Sequence, residues 1–222
     1  MQADEIVVTV PEGPLGASLS AAADSHGLVI FAHGSGSSRF SPRNRFVAEQ
    51  LQNAGFATLL MDLLTQDEDR RDQRTTEFRF DVALLGRRLL AATNWSLARF
   101  PALSIGYFGA STGAAAALIA AADLGERIAA VVSRGGRPDL AGAALARVTA
   151  PTLLLVGARD RQVIALNEEA QAQLRCTSEL AIVPGASHLF EEPGTLEVVA
   201  DLAARWFATN RSKSARLDSG SG

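Results

Sequence analysis

Ser111 stands in the run Gly109-Ala110-Ser111-Thr112-Gly113, between an apolar stretch (103–109) and an alanine-rich stretch that continues to Ala122. A serine on a sharp strand-to-helix turn projects its hydroxyl clear of the sheet. Side chains two residues before or after it would collide with that turn, which explains the two flanking glycines. The helix that follows offers free N–H groups and the positive end of its dipole. The same residues also permit a plainer role for Ser111, as a helix N-cap. A serine nucleophile needs a base, and the base needs an acid to orient it. Of the three histidines, His188 lies in PGASHLFEEPG, after the last strand-like run and before the last helix. His26 precedes its strand and falls on the opposite edge of the sheet. Asp160 closes LLLVGARD, so the chain order is Ser111, Asp160, His188. Taken singly, His188 reads as an ordinary loop histidine and Asp160 as a solvated turn residue. Asp62 is a competing acid at the end of an earlier strand, but it precedes the serine.

A second glycine loop, FAHGSGSSRF (31–40), follows the first buried strand-like run. Gly34-Ser35-Gly36 opens like a dinucleotide-binding turn, with Asp62 suited to a ribose contact. Arg39 occupies the position where the third glycine of that fingerprint belongs. The competing reading is one half of an oxyanion hole, formed by the backbone N–H groups of Ser35 and Thr112. Losing one such donor typically costs about 2.7–4 kcal/mol of transition-state stabilisation. His33 would brace this loop through hydrogen bonds, or sit buried and satisfied by backbone.

These residues need elements that carry them to one edge of a sheet. Apolar runs at 5–10 and 16–21 predict a small antiparallel start. Buried strands are predicted at 27–34, 56–64, 103–109, 127–136, 151–160 and 178–185. Helices are predicted at 42–55, 75–95 (with Phe78, Val82, Leu85, Leu89 and Ala92 on one face), 112–122, 139–148, 162–175 and 195–210. The charged run QDEDRRDQR (66–74) is predicted as a solvated loop. Continuous Val/Ile/Leu strands alternating with helices imply a mostly parallel sheet covered on both faces, an α/β fold. Function in such folds sits at the carboxyl ends of the strands. One domain over 1–210 is expected, with 211–222 as a disordered tail.

Composition sets limits. The 222 residues are 47% hydrophobic and 20% charged, with a net charge of −3. That is globular composition with no electrostatic reason to expect nucleic acid or an anionic membrane as partner. The single cysteine, Cys176, rules out an intrachain disulfide and argues against a structural zinc site, and no metal or cofactor is expected. No signal peptide or bilayer-spanning stretch is evident, so a cytoplasmic protein, monomer or homodimer, is the expectation.

The His33-Gly34-Ser35-Gly36 loop, the Gly109–Gly113 elbow, GARD ending in Asp160 and PGASHLF with His188 together resemble the α/β-hydrolase superfamily. Within it, the chain is similar to the small, lidless dienelactone hydrolase-like group. The resemblance covers residues 5 to 208 and implies a sheet of about eight strands and ester hydrolysis through an acyl-enzyme, with a small-molecule ester as substrate. Dienelactone hydrolases proper carry a cysteine at the elbow, and this chain has Ser111. Only 137–150 separates the fourth central strand from the fifth, which leaves no room for a cap domain. Arg39, Arg134 and Arg137 lie in loops near the active edge. They either grip a substrate carboxylate or are exposed surface arginines. The competing functions are a thioesterase, lactone hydrolase, peptidase or perhydrolase on the same residues, and a non-catalytic ligand-binding module of the same fold.

Overall fold

The structure is a computed structural model that describes residues 3–211. The expected tail, apart from Arg211, lies outside the described residues. Eight strands form one sheet: β1 Asp4–Val10, β2 Gly13–Ser20, β3 Leu28–Ala32, β4 Ala57–Met61, β5 Ile105–Ala110, β6 Ile128–Arg134, β7 Thr152–Gly157 and β8 Ser178–Val183. Their order across the sheet is β1-β2-β4-β3-β5-β6-β7-β8. The β1–β2 and β2–β4 pairs are antiparallel, and every pairing from β4–β3 to β7–β8 is parallel. Six α-helices flank the sheet: α1 Pro42–Asn53, α2 Gln66–Thr75, α3 Val82–Arg99, α4 Thr112–Leu124, α5 Arg161–Gln171 and α6 Thr195–Asn210.

Alternation along the central strands fills two cores. Ile30, Leu59, Tyr107 and Val131 point to the face covered by α3, α4 and α5. Phe31, Leu60, Phe108, Val132 and Leu155 point to the face covered by α1 and α6. Helix α4 is buried nearly all round, and its small Ala114–Ala117 stretch is entirely inside. A helix apolar on every side belongs in an interior. Here that interior fixes the turn immediately before it. Between β6 and β7 the chain makes 3₁₀ turns over Pro138–Arg147, kinked at Gly142, and no cap is inserted.

The predicted loop at 66–74 is a helix. Sequence periodicity misses it because no apolar stripe holds it. Thr65 and Glu68 form a reciprocal capping box, with Glu68 N–H donating to the Thr65 hydroxyl and Thr65 N–H to the Glu68 carboxylate. Acidic residues fill the first turn, where the dipole favours them. The other Glu68 oxygen accepts from Arg88, 1% exposed, which also reaches Glu12; both contacts are 2.7 Å. The helix expected over 75–95 accordingly starts later, at Val82. Asp81 caps it, its carboxylate accepting the Leu84 N–H. Phe78 lies in the intervening loop, which is tied down by the buried Asp72.

Asp72 accepts the Phe78 and Arg79 backbone N–H groups at 2.7 and 3.0 Å and the Arg79 Nε at 2.5 Å. Burial opposes its charge, but those hydrogen bonds and the Arg79 cation outweigh it and hold its pKa below the ordinary 3.8. Such a group stabilises the fold above its unfolded pKa, and the contribution is lost as pH falls through the lower folded value. Asp72→Asn should therefore cost about 1.5–3 kcal/mol near neutral pH. Thermal melts of the two proteins should differ most at pH 7 and converge below pH about 3.8.

Candidate active site

Strand β5 lies in the middle of the sheet, so the residue that follows it sits at the centre of the carboxyl edge. That residue, Ser111, takes φ +50° and ψ −123°. A non-glycine side chain in this region is strained. Thr112 then opens α4. Two glycines permit the turn: a β-carbon on Gly113 would lie 2.3 Å from the Ala32 carbonyl, and one on Gly109 would lie 2.5 Å from Ala114 Cα. Ser111 makes no side-chain cap to α4, so its hydroxyl is not used for N-capping. Its backbone is held on the other side, with Ser111 N–H donating to Arg134 O at 3.3 Å and Arg137 N–H to Ser111 O at 3.1 Å.

Asp160 and His188 follow β7 and β8, the two strands beyond β6 along the edge. Asp160 ends the β7–α5 turn at the N-cap position of α5, but its carboxylate does not cap that helix. Instead Asp160 Oδ2 lies 2.6 Å from His188 Nδ1. A proton on Nδ1 donated to the carboxylate leaves Nε2 as the acceptor nitrogen. The β8–α6 loop that carries His188 is clamped on both sides of it. Ser187 N–H donates to Glu192 at 3.0 Å, Arg159 lies 3.5 Å from Glu192, and Arg43 pairs with Glu191 at 3.0 Å. The Ser187 N–H, followed by smaller contributions that include Arg159, holds the Glu192 carboxyl below the usual range. Among the described residues no hydrogen bond joins Ser111 Oγ to His188. The Arg134–Arg137 strip links the two, because it bonds the Ser111 backbone while a β-carbon on Gly135 would touch the His188 carbonyl at 3.0 Å. Serine–histidine contacts in empty sites are commonly long and tighten when substrate binds.

The loop after β3 packs against the serine from the opposite side. A β-carbon on Gly34 would stand 3.0 Å from Ser111 Cβ. Ser37 N–H donates to Gly34 O, so Ser35 and Gly36 are the central residues of a turn, and Gly36 takes φ +68° as type II geometry requires. Thr112, first in its helix, has no intrahelical acceptor for its N–H. Buried His33 fixes the loop: Nε2 accepts the Leu63 N–H at 3.1 Å, so Nδ1 carries the proton and donates to Gly34 O at 2.9 Å. Burial pushes its pKa below 6.5 and keeps the ring neutral.

The remaining candidates separate. Arg39 is engaged by Asp62, through its backbone N–H at 2.8 Å and its guanidinium, and by Glu5, with Phe40 beneath the guanidinium. Asp62 is thereby occupied away from His188. Arg137 forms a two-pronged contact with Asp139 at 2.8 and 2.7 Å. Arg134 is not a surface arginine, being 8% exposed at the end of β6. His26 packs edge-on against Phe56 on the far side of the sheet, and Cys176 is half-buried. A cavity of about 770 Å³ adjoins the loop after β3 at Gly34, Ser35 and Arg39 and is bounded by Glu12, Asp62 and Asp72; Ser111 does not line it. Among the described residues no group of His, Cys, Asp or Glu could hold a metal ion, and no helix is long and apolar enough to cross a membrane. Glu191 and Glu192 escape sequence reasoning, although the EEPG run directly after the histidine loop marks their position.

Residues 16–214 match the dienelactone hydrolase family. A dienelactone hydrolase from Anabaena variabilis is 55% identical, covers 95% of this chain and 100% of its own, and superposes with a TM-score of 0.92. A lidless α/β serine hydrolase from Xanthomonas campestris shares the fold at 18% identity, with a TM-score of 0.74 over 96% of each chain. A protein of Mycobacterium tuberculosis, named provisionally as a phosphoribosyl transferase, is 56% identical over 92% of this chain. The chain spans about half the length of that relative, 46%.

Because His33 is held neutral, the fold binds its proton less readily than the unfolded chain does. Its contribution is complete above pH about 6.5 and is lost as pH falls from there toward the lower folded pKa. Urea titrations of wild type and His33→Gln should show a gap in stability that narrows between pH 7 and pH 5.

Proposed function

The chain belongs to the dienelactone hydrolase family, and from that premise we propose that it is a serine hydrolase that cleaves small carboxylic esters through an acyl-enzyme. The observation that carries this reading is Ser111 on a strained turn with its hydroxyl unused for capping, at the same edge as the His188–Asp160 pair at 2.6 Å. In this mechanism Ser111 Oγ attacks the ester carbonyl carbon and its proton passes to His188 Nε2. The carbonyl oxygen becomes an anion, held by the Ser35 and Thr112 N–H groups. The carbon–oxygen bond to the alcohol breaks as His188 returns the proton to the leaving oxygen. Water, deprotonated by His188, then attacks the acyl-serine, and the acid leaves as Ser111 recovers its proton. Asp160 remains ionised throughout, holding the imidazole in the tautomer with Nε2 free and stabilising the imidazolium.

The short Pro138–Arg147 segment in place of a cap favours small or varied soluble acyl groups over long lipid chains. Thioesters and lactones can form the same acyl-enzyme and belong beside esters in the assay. The transferase designation describes relatives more than twice as long as the stretch they share with this chain.

Steady-state hydrolysis of p-nitrophenyl acetate, butyrate and octanoate should show preference for the short esters, and Ser111→Ala should fall to the uncatalysed background. Asp160→Asn should retain binding but lose on the order of 10³–10⁴-fold in kcat. Short-ester hydrolysis undiminished in Ser111→Ala would overturn the assignment.

A further inference from the structure

Asn167, within α5, is 0% exposed, and the reaction as described makes no use of it. Its Nδ2 donates to Val163 O at 2.8 Å and to Gly136 O at 3.0 Å. Both partners are carbonyl oxygens, so the amide nitrogen is the atom that faces them. The Val163 contact stays within the helix, one turn back. The Gly136 contact spans 31 residues and reaches the strip that holds the nucleophile. With the nitrogen so placed, Oδ1 is sealed from solvent and has no hydrogen-bond partner among the described residues. An unpaired buried acceptor is costly, and native structures seldom keep one without a use.

The Gly136 carbonyl and the Arg137 N–H belong to one peptide group. The described peptide bonds are trans, and a planar trans peptide points its C=O and N–H in opposite directions. Asn167 therefore fixes one end of that plane, and from the other end Arg137 N–H donates to Ser111 O at 3.1 Å. The Ser111 carbonyl in turn shares its peptide group with the Thr112 N–H. The donors run in one sense, from Asn167 Nδ2 through the 136–137 and 111–112 peptides to Thr112. Hydrogen bonds aligned in this way polarise one another inside a protein. The last N–H in the line has no intrahelical acceptor. Packing keeps the strip in place, since a β-carbon on Gly136 would lie 1.9 Å from Ser133 Oγ and 2.6 Å from Ala114 Cβ. Asp160, which orients His188, is the N-cap residue of the same helix that carries Asn167.

We propose that Asn167 is a positioning residue for the oxyanion: through two peptide groups it orients and polarises the Thr112 N–H. This rests on the ester-hydrolase reading of the same site. Asn167 touches no substrate. It acts on the carbonyl of the strained Ser111, whose direction sets the direction of the Thr112 donor. One helix then serves both halves of the chemistry, the acid at its start and the relay two turns further on.

The test replaces Asn167 by leucine, which keeps the size of the side chain and removes its donors. Hydrolysis of p-nitrophenyl butyrate, with reactive serine counted by fluorophosphonate titration, should show kcat per reactive site lower by about tenfold and KM within about twofold; the donor is weakened, not lost. A short alkyl trifluoromethyl ketone forms a hemiketal oxyanion on the serine, so its inhibition constant should rise by about the factor by which kcat/KM falls. A lower Tm with unchanged kcat per reactive site, or a change confined to KM, overturns the proposal. Should Asn167→Leu not fold, Asn167→Ser decides. Its hydroxyl can bond the Val163 carbonyl one turn back but is too short to reach Gly136. The same fall in kcat supports the relay, and wild-type kcat overturns it. Wild type that hydrolyses no ester contradicts the hydrolase reading, and the relay is then judged by amide proton shifts alone. Arg137 and Thr112 both moving upfield in the variant supports it, and an unmoved Thr112 overturns it.

Discussion

A strained backbone at one residue organises the carboxyl edge of this sheet. Ser111 at φ +50° costs on the order of 1–3 kcal/mol, and it persists only because the surroundings leave the chain no other path. Those surroundings are close contacts of backbone with backbone. Gly113 lies against the Ala32 and His33 carbonyls, Gly109 against the Ala114 backbone, and Gly34 against the Ala110 carbonyl. Alanines in α4 allow the helix to sit deep in the layer, which pins the residue before it. The elbow is thus a product of the core rather than of a surface loop, and its position moves only if β5 and α4 move.

Around that fixed point the other loops are held by polar clamps as well as by apolar packing, as Ala186 and Phe190 show for the histidine loop. His33 reads both the Leu63 amide and the Gly34 carbonyl, tying the loop after β3 to the loop after β4. Asp160 ties the loop after β7 to His188, and Glu191 and Glu192 tie the histidine loop to α1 and to Arg159. Partly exposed ion pairs such as Arg43–Glu191 contribute little stability. Their effect is geometric: each removes freedom from the loop that carries His188. The same economy appears away from the edge, where Arg88 joins the β1–β2 turn, through Glu12, to the capping box of α2.

Much of this was legible in the sequence wherever local pattern and tertiary contact agree. The glycines around Ser111 are required by one tight turn, so their spacing is visible in a five-residue window. Helix α6 is apolar on one stripe and falls at 195–210 as its periodicity implies. Helix α2 was illegible because its partners are remote. Glu12 and Arg88 are far away in the chain, and Asp72 is buried by a loop that folds back on it. Phe78 happens to match the spacing of α3, but the Asp72 contacts and the Asp81 cap hold it outside that helix. The burial of Arg134 was obscured by its chemistry. A charge at a strand end reads as a loop residue, although period-two spacing from Val132 already placed it on the inner face.

The Ser111 hydroxyl is the atom that takes up the acyl group in the proposed reaction. Rapid acid quench of the protein during turnover of p-nitrophenyl acetate, followed by intact-mass and peptide mass spectrometry, reads that atom directly. The prediction is one added acetyl group, carried by the peptide that contains Ser111 and lost on further incubation. Turnover with no adduct at Ser111, or with the acyl group on another residue such as Cys176, would contradict it.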